Sequence, residues 1–375
     1  MAVNRSLIAP TANPALERAL QDKLAKRSET TGSLGELEPL AVRLGILQNT
    51  LKPRFRDPQL ALFASDHGIA VDGIAPLGAP TTAELVGNLL HAKLPVAVFA
   101  RIQGVELHVV DAGVADSLAV HPRLMARKIA HGSRNARVGS AMTVDQAHAA
   151  IRAGMEIADK LPGNVIACAG VGVGSMESAA LVLSRLTNAN VRDLVVASPR
   201  VKQDDVARLL VITQGAQGRH REVSDPVEVL AAFGGFDTAM MVGLMLVAAS
   251  KRHLVIVDGM AACAALLVAS RIAEPVTDYA LFTRSHSHRG LDHALKLLRA
   301  SALLELGMES TDGTGATLAW PLIKAAGALL TEVAEGEDPG PSLPSELSKM
   351  TGPQASAGPT TMSDATGVGA ARPES

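Results

Sequence analysis

Short apolar runs alternate with longer amphipathic segments through the middle of the chain. The runs are too short for helices, and the segments between them carry apolar residues at helical spacing. This alternation is typical of parallel strands joined by crossover helices. The predicted strands are residues 60–64, 106–110, 165–168, 193–197, 254–257 and 279–283. The pattern therefore predicts an α/β fold with a doubly wound, mostly parallel sheet.

Polar and glycine residues directly follow these predicted strands. Asp66 and His67 follow the first strand, the glycines of 170–174 follow the third, and Asp258 follows the fifth. In an open α/β sheet, ligands bind in the crevice beyond the carboxyl ends of the strands. We therefore expect these residues to converge on one binding site.

A glycine-rich turn before the last predicted helix is a candidate phosphate site. Asp312 directly precedes Gly313, Thr314 and Gly315, and an apolar helix follows. Glycine lets the backbone approach a ligand closely, and the free N–H groups at a helix start attract phosphate. The carboxylate of Asp312 would then act on whatever the phosphate anchors. Turns of this kind are also common as plain connections, so the interpretation needs agreement from other segments.

The pattern divides the chain into four parts. Helical spacing within residues 1–55 predicts a helical segment. Residues 56–300 carry the predicted strands and crossover helices, and residues 301–335 the glycine-rich turn and a C-terminal helix. Residues 336–375 are rich in Pro, Gly, Ser and Thr and have no periodicity, which predicts a disordered tail.

Composition narrows the classes of function. The chain is 47% hydrophobic but only 2% aromatic, so Ala, Val, Leu, Ile and Met must form the core. Lys and Arg total 35 against 37 Asp and Glu, with no basic block, which gives no reason to expect a nucleic-acid partner. Charges interrupt the apolar windows before they reach spanning length, and the N-terminus lacks the apolar core of a secretory signal. Cys168 and Cys263 lie in apolar runs, where small buried residues are expected rather than a disulfide, and this favours a reducing compartment. We therefore expect a cytoplasmic protein with no membrane segment.

The glycines at 170–174 do not form a dinucleotide fingerprint. Neither the G-x-G-x-x-G spacing nor the acidic residue expected after a second strand is present. Close approach of this backbone to a smaller nucleotide remains an open alternative.

Several polar groups allow more than one interpretation. Asp66 and His67 fit an acid/base pair, half of a metal site, or a structural pair at the end of a strand. His286 belongs to a histidine cluster that lacks the cysteines or paired carboxylates of a zinc signature. Ser133 and Asn135 suit phosphate or ribose binding, but also an ordinary turn. We expect neither a metal nor a cofactor.

Taken in order, seven segments resemble the nicotinate-nucleotide:dimethylbenzimidazole phosphoribosyltransferase family of cobalamin assembly. They are residues 31–38, 64–69, 109–114, 132–135, 233–237, 257–259 and 312–316. The resemblance extends over roughly residues 13–335. It implies a doubly wound, Rossmann-like α/β domain with a smaller helical domain formed by both chain ends. Residues 1–55 would then be the helical segment of the small domain, residues 56–300 the α/β nucleotide-binding domain, and residues 301–335 the active-site loop and C-terminal helix. It also implies a homodimer whose partner helps to shape the base pocket, with a heterodimer of paralogues as the alternative.

The resemblance implies a reaction and a set of site residues. Phosphoribose would pass from nicotinate mononucleotide to 5,6-dimethylbenzimidazole, giving α-ribazole 5′-phosphate and nicotinate. Asp312 would occupy the position of the catalytic carboxylate, which accepts the azole proton and stabilises positive charge on base and sugar. The residues implied to bind substrate are Gly313, Thr314, Gly315, Gly172, Gly174, Arg208, Asp66, His67, Ser133, Asn135, Asp258, His286, Leu77 and Leu85.

This sequence departs from the family's pattern at the site. Asp312 replaces a Glu and is shorter by one methylene, about 1.5 Å, and a displacement of about 1 Å can cost about a hundredfold in rate. A second family Glu aligns with Gly170, and we expect that Glu177, about two helical turns further on, cannot simply replace it. Leu77 and Leu85 align with a Ser and a Gln, which makes the predicted acceptor slot more apolar.

Three functional hypotheses follow. The first is an active phosphoribosyltransferase that uses Asp312 as its base, on dimethylbenzimidazole or a related, more apolar acceptor. The second is a catalytically impaired paralogue that binds a mononucleotide or pairs with an active subunit. The third is a regulatory protein that binds a mononucleotide and uses the predicted tail for interaction.

Truncation after Glu335 tests the predicted tail. Because residues 336–375 offer no apolar core, we expect removal to shift the melting temperature by less than about 2 °C. Differential scanning calorimetry of the full-length and truncated proteins measures this shift. A clearly larger drop would show that the tail docks on the rest of the chain.

Overall fold

The computed structural model describes residues 8–27, 33–75, 78–195, 203–284, 289–308, 310 and 312–333. Residues 1–335 form one compact unit, and residues 336–375 form a second. The predicted disordered tail, residues 336–375, therefore lies outside the described residues.

Parallel strands form one central sheet, which confirms the predicted fold class. The described strands are β1 (Gln59–Ser65), β2 (Glu106–Gly113), β3 (Leu124–Ala126), β4 (Val165–Val171), β5 (Leu254–Val257), β6 (Ala280–Arg284) and β7 (Ala302–Leu304). Their spatial order is β3-β2-β1-β4-β5-β6-β7, and each neighbouring pair is parallel. All seven residues of β1 and all seven of β4 are buried, as expected for central strands covered on both faces.

Helices cover the two faces of this sheet. The described helices are α1 (Pro14–Ala25), α2 (Leu37–Gln48), α3 (Thr82–Leu90), α4 (Pro95–Ile102), α5 (Val144–Lys160), α6 (Ser175–Thr187), α7 (Val191–Val195), α8 (Gln203–Arg219), α9 (Pro226–Phe233), α10 (Phe236–Ser250), α11 (Met260–Ile272), α12 (Arg289–Leu297) and α13 (Thr314–Ala328). On one face, α10 and α11 pack against the central strands, and α3, α4 and α13 cover the other. The terminal helices α1, α2 and α13 pack together, so both chain ends contribute to one helical layer.

The strand predicted at residues 193–197 is wrong. Residues 191–195 form α7, in which Val191, Leu194 and Val195 are buried. Their spacing is that of one helical face, but a run of five mostly apolar residues also fits a short strand. Residues 196 and 197 lie outside the described part of the chain. The other five predicted strands are confirmed within one to three residues of their ends.

The pattern of apolar residues does not predict strands β3 and β7. Each is three residues long and lies at an edge of the sheet. Most of their residues are only half-buried, so neither strand stands out as a continuous apolar run. Short edge strands leave little signal in a sequence for this reason.

The buried helix α10 crosses α5 at very short range. A Cβ atom on Gly154 of α5 would lie 1.8 Å from the backbone oxygen of Met240, and one on Gly243 of α10 would lie 1.9 Å from that of Ile151. Only glycine allows this contact between the two backbones. The crossing holds α10 close to the sheet, and the first turn of α10 contributes to the site described below.

The segment Thr82–Ile102 is long and apolar enough to cross a membrane by length and composition, a test that core helices of soluble proteins also pass. Its backbone is not one helix, because a turn with Ala92 at φ +54° separates α3 from α4. With nine and eight residues, α3 and α4 each fall short of the roughly 20 residues that a spanning helix needs.

Substituting Gly154 tests the close helix crossing. We expect Gly154→Ala to lower the free energy of unfolding by about 1–3 kcal/mol, because the new methyl group would overlap backbone atoms of α10. The matched control is Gly218→Ala on α8, where no atom lies within 4 Å of the added carbon. There the better helix propensity of alanine should leave stability unchanged or raise it by up to about 1 kcal/mol. Urea denaturation followed by circular dichroism compares the three proteins, and equal midpoints for Gly154→Ala and the wild type would contradict the proposed overlap.

Candidate active site

The order of the strands reverses between β1 and β4. From β1 the chain runs outward through β2 and β3, and from β4 it runs in the other direction through β5 to β7. Such a reversal opens a crevice at the carboxyl ends of the two central strands. Asp66 and His67 leave β1 at this point, and the loop of residues 172–174 leaves β4. The backbone N–H of His67 donates to the oxygen of Val173 at 3.2 Å, so the predicted convergence of these two strand ends is present.

Glycine is required in the loop after β4. A Cβ on Gly172 would lie 1.8 Å from the backbone oxygen of Ser65, the last residue of β1. Gly174 adopts the left-handed conformation at φ +84° and directly precedes α6. The loop therefore lies flat against the end of β1 and directs the N–H groups at the start of α6 toward the crevice.

Thr82 of α3 connects the loops that follow β1 and β4. The sequence pattern does not predict this role. The hydroxyl of Thr82 donates to Oδ1 of Asp66 at 2.6 Å and accepts from the backbone N–H of Val173 at 3.1 Å. The other oxygen of Asp66 accepts from the N–H of Ala115 at 2.7 Å. The carboxylate of Asp66 therefore has a structural task in holding α3 and two loops at the strand ends. The capping box of the preceding Thr81 was the only sequence signal near this position.

Ser133 and Asn135 support the loop that follows β1. The hydroxyl of Ser133 accepts from the N–H of Gly68 at 3.2 Å, and the side-chain amide of Asn135 donates to Asp72 at 2.9 Å. A Cβ on Gly68 would lie 2.3 Å from the backbone of Arg134, so the two loops are in backbone contact. These contacts explain both residues structurally, and their contact with substrate stays a prediction.

A buried ion pair lies beneath the crevice. Nε2 of His67 is 3.4 Å from Oδ2 of Asp237, and both side chains are almost fully buried. Burial alone would lower the pKa of His67, but the negative charge of Asp237, aided by Asp66 and Glu177, raises it above its ordinary value. Asp237 lies in the first turn of α10, where the helix dipole favours a negative charge. It also accepts a hydrogen bond of 3.1 Å from the hydroxyl of Ser175.

A cavity of about 220 Å³ opens between the start of α6, the start of α11 and the end of β4. The described residues that line it are Ile74, Ala75, Gly170, Gly172, Val173, Gly174, Ser175, Met176, Glu177, Met260 and Ala261. Glu177 is the one titratable residue among them. Burial raises the pKa of its carboxyl group, while its own backbone N–H and the nearby His67 act in the opposite direction.

The expected separation of Glu177 from Gly170 by about two helical turns is wrong, whereas whether Glu177 replaces the family's Glu stays a prediction. Both residues line the same cavity. The seven intervening steps do not form two turns of a helix, because Gly170 still belongs to β4 and α6 begins only at Ser175. The turn between them folds the chain back, and the start of α6 returns to the end of the strand.

Asp312 and Asp258 fix the beginning of α13. Oδ1 of Asp312 accepts from both the N–H and the hydroxyl of Thr314, at 3.2 and 2.6 Å. Gly313 is the N-cap residue, in the left-handed conformation at φ +86°. Asp258, which is 1% exposed, accepts from the N–H of Ala316 at 3.2 Å and from the hydroxyl of Thr283 at 2.9 Å. The predicted phosphate turn is therefore a helix start held by two carboxylates, and Gly315 is buried within its first turn.

The remaining predicted site residues are dispersed. Leu85 lies on α3, half-buried against the core. Arg208 lies on α8 with about half of its side chain exposed and pairs with Asp205 at 2.9 Å, so its place beside a phosphate stays a prediction. Leu77 and His286 lie outside the described residues. In the described part of the chain, no group of three or more His, Cys, Asp or Glu side chains could hold a metal ion.

The arrangement suits an anionic ligand that carries an apolar ring. Two helices, α6 and α13, begin after left-handed glycines near the carboxyl ends of the sheet, and their N–H groups favour phosphate. The side chains of Met176 and Met260 give the cavity apolar walls, and Glu177 supplies a carboxyl group. Adaptable thioether walls and one polar group are features of a small-molecule site.

The chain is similar to known proteins over almost its whole length. A family model described as phosphoribosyltransferase matches residues 9–340. The nicotinate-nucleotide–dimethylbenzimidazole phosphoribosyltransferase of Cupriavidus taiwanensis is 39% identical over 328 residues, which are 87% of this chain and 95% of that protein. The protein of the same name from Janthinobacterium sp. (strain Marseille) is 33% identical over 333 residues, with 88% and 96% covered.

A solved structure leads to the same family. The crystal structure of the phosphoribosyltransferase of that name from Thermus thermophilus is similar to this chain with a TM-score of 0.79 at 28% identity, covering 85% of this chain and 96% of that one. The region matched by the family model includes both the sheet and the helix α13 that carries the candidate phosphate turn. The chain belongs to the nicotinate-nucleotide–dimethylbenzimidazole phosphoribosyltransferase family.

Proposed function

We propose that this protein transfers phosphoribose from nicotinate mononucleotide to 5,6-dimethylbenzimidazole or a related base, giving α-ribazole 5′-phosphate and nicotinate. The observation that carries the proposal is the match to relatives of that name along 95% and 96% of their length. The geometry supports it, because two helix starts suited to phosphate lie at the same edge of the sheet as a cavity with apolar walls.

The proposed reaction makes one bond and breaks one. The lone pair of an azole nitrogen forms a bond to the anomeric carbon, and the bond from that carbon to the ring nitrogen of nicotinate breaks with its electron pair going to nicotinate. The proton on the other azole nitrogen passes to a carboxylate. Positive charge develops on base and sugar during this step, so a fixed negative charge beside them lowers the barrier.

Asp312 is the carboxylate that we place beside the ribose as the fixed negative charge. One of its oxygens is held by Thr314 in the cap of α13, which fixes the orientation of the group. Gly313, Thr314 and Gly315 would bind the phosphate through the N–H groups of the same helix start. A single turn would thus hold both the phosphate and the charge that acts on the ribose.

We also infer a homodimer that works in the cytoplasm. The resemblance to the family supports a dimer in which a partner shapes the base pocket, with a heterodimer of paralogues as the alternative outcome of a mass measurement. The two cysteines, Cys168 and Cys263, are buried. Burial raises the pKa of the Cys168 thiol, which keeps it protonated and unreactive, as suits a reducing compartment.

A turnover assay tests the proposed function directly. We expect purified protein to convert nicotinate mononucleotide and dimethylbenzimidazole to a ribotide and nicotinate, both detected by mass spectrometry. Benzimidazole, adenine and phenols serve as further acceptors and identify the preferred base. If no acceptor gives a ribotide while calorimetry shows that the mononucleotide binds, the proposed activity is refuted and the protein is a catalytically silent binder.

Substituting Asp312 tests its role without removing the helix cap. We expect Asp312→Asn to lower kcat by at least about a hundredfold, because the negative charge is lost. The amide oxygen can still accept from Thr314, so the melting temperature should stay close to that of the wild type. Asp312→Glu restores the charge and should keep or raise turnover. Equal activity of all three proteins would remove Asp312 from the mechanism.

A further inference from the structure

Glu177 is a buried carboxyl group for which the mechanism above has no task. Its residue is 7% exposed, and it faces the 220 Å³ cavity. In the part of the chain that the structure describes, the carboxyl group accepts a hydrogen bond from its own backbone N–H and from no other residue. A buried carboxyl group without a fixed partner is costly for the fold. Such a group at a cavity is a candidate for chemistry.

The neighbouring position cannot supply this carboxyl group. A Cβ on Gly170 would lie 2.8 Å from Cβ of Ala261 and 2.9 Å from Oδ2 of Asp237, so any side chain there would displace α11 or the buried ion pair. Glu177 reaches the same cavity from α6 without that conflict. Among the described residues that line the cavity, Glu177 of α6 therefore supplies the one carboxyl group.

Two opposed influences act on the pKa of Glu177. Burial favours the neutral acid, whereas the nearby His67, whose own pKa is raised by Asp237 and Asp66, favours the carboxylate. Met260 and Ala261 of α11, which also line the cavity, contribute no charge. A carboxyl group whose pKa is raised takes up a proton more readily than an exposed carboxylate does.

We propose that Glu177 receives the proton of the acceptor base during phosphoribosyl transfer, while Asp312 stabilises the positive charge that develops on the ribose. This inference rests on the proposed function. The attacking nitrogen uses its lone pair, the ring nitrogen of nicotinate keeps the electrons of the broken bond, and the N–H proton of the acceptor moves to an oxygen of Glu177. The proton then leaves to solvent through the open side of the cavity when the product departs.

The division of roles agrees with the hydrogen bonds of the two acidic residues. Oδ1 of Asp312 already accepts from two donors of Thr314, which hold the carboxylate in one orientation as a fixed negative charge. Glu177 has no such external donors among the described residues. A proton acceptor needs an oxygen that is free to bind the acceptor base, and Glu177 meets this requirement.

Glu177→Gln is the decisive variant. It removes the proton acceptor but keeps the shape, and we expect kcat/KM for dimethylbenzimidazole to fall by at least about a hundredfold. The dissociation constant for nicotinate mononucleotide, measured by calorimetry, should change by less than about twofold, because the proposal assigns the phosphate to the start of α13 and not to the start of α6. Because the substitution removes a buried acid with a raised pKa, the melting temperature should not fall.

The matched control is Ser178→Ala on the same helix, which removes a buried hydrogen bond to Phe233 outside the cavity and should leave kcat/KM unchanged.

The dependence of kcat/KM on pH separates a proton acceptor from a packing residue. The carboxyl group of Glu177 can accept a proton only when it is ionised, and because its pKa is raised, ionisation needs a higher pH than for an exposed Glu. The kcat/KM of the wild type should therefore increase as the pH rises through the pKa of Glu177. Glu177→Gln should lack this increase, whereas Asp312→Asn should retain it at a lower rate. A Glu177→Gln protein with kcat/KM within about threefold of the wild type, or with the same rise, would overturn the assignment while leaving the transferase intact. A wild-type protein that forms no ribotide would overturn both proposals.

Discussion

Contact between backbones at the ends of β1 and β4 is the constraint on which the site depends. The loop after β4 lies against Ser65 so closely that Gly172 has no space for a side chain. Gly68 packs in the same way against the loop of residues 133–135. With these contacts in place, Asp66, His67 and the start of α6 have fixed positions at the point where the strand order reverses. A larger side chain at either glycine would separate the loops that form the crevice.

The fold carries several buried charges, and most are balanced by a specific contact. Asp258 and Asp312 accept hydrogen bonds from the start of α13, so their negative charge stabilises the positive end of that helix. His67 and Asp237 neutralise each other beneath the crevice. Breaking such a pair by removing one partner is far more costly than the pair is worth as a whole. Glu177 is the exception, since its compensation by His67 is partial, and this is the physical basis for assigning it a chemical task.

Much of this protein could be deduced from the sequence alone. The apolar runs that became β1, β2, β4, β5 and β6 are largely buried on both faces, and burial of that kind requires a continuous apolar stretch in the sequence. The family resemblance, the two buried cysteines and the helix start at Asp312–Gly315 also agree with the structure and the comparisons. These features are local, because each depends on a few neighbouring residues and their order along the chain.

Tertiary structure decided the features that depend on distant contacts. The helix at Val191–Val195 and the edge strand Ala302–Leu304 have too few residues for periodicity to identify them. Thr82 became part of the site because folding brings it to Asp66 and Val173, 16 and 91 residues away. Glu177 lines the same cavity as Gly170 because the chain reverses between β4 and α6. The seven positions that separate them along the sequence therefore do not correspond to a large distance in space. The sequence determined which elements form and which chemistry is available, whereas the turns between elements decided which side chains meet, since those contacts exist only once the sheet has assembled.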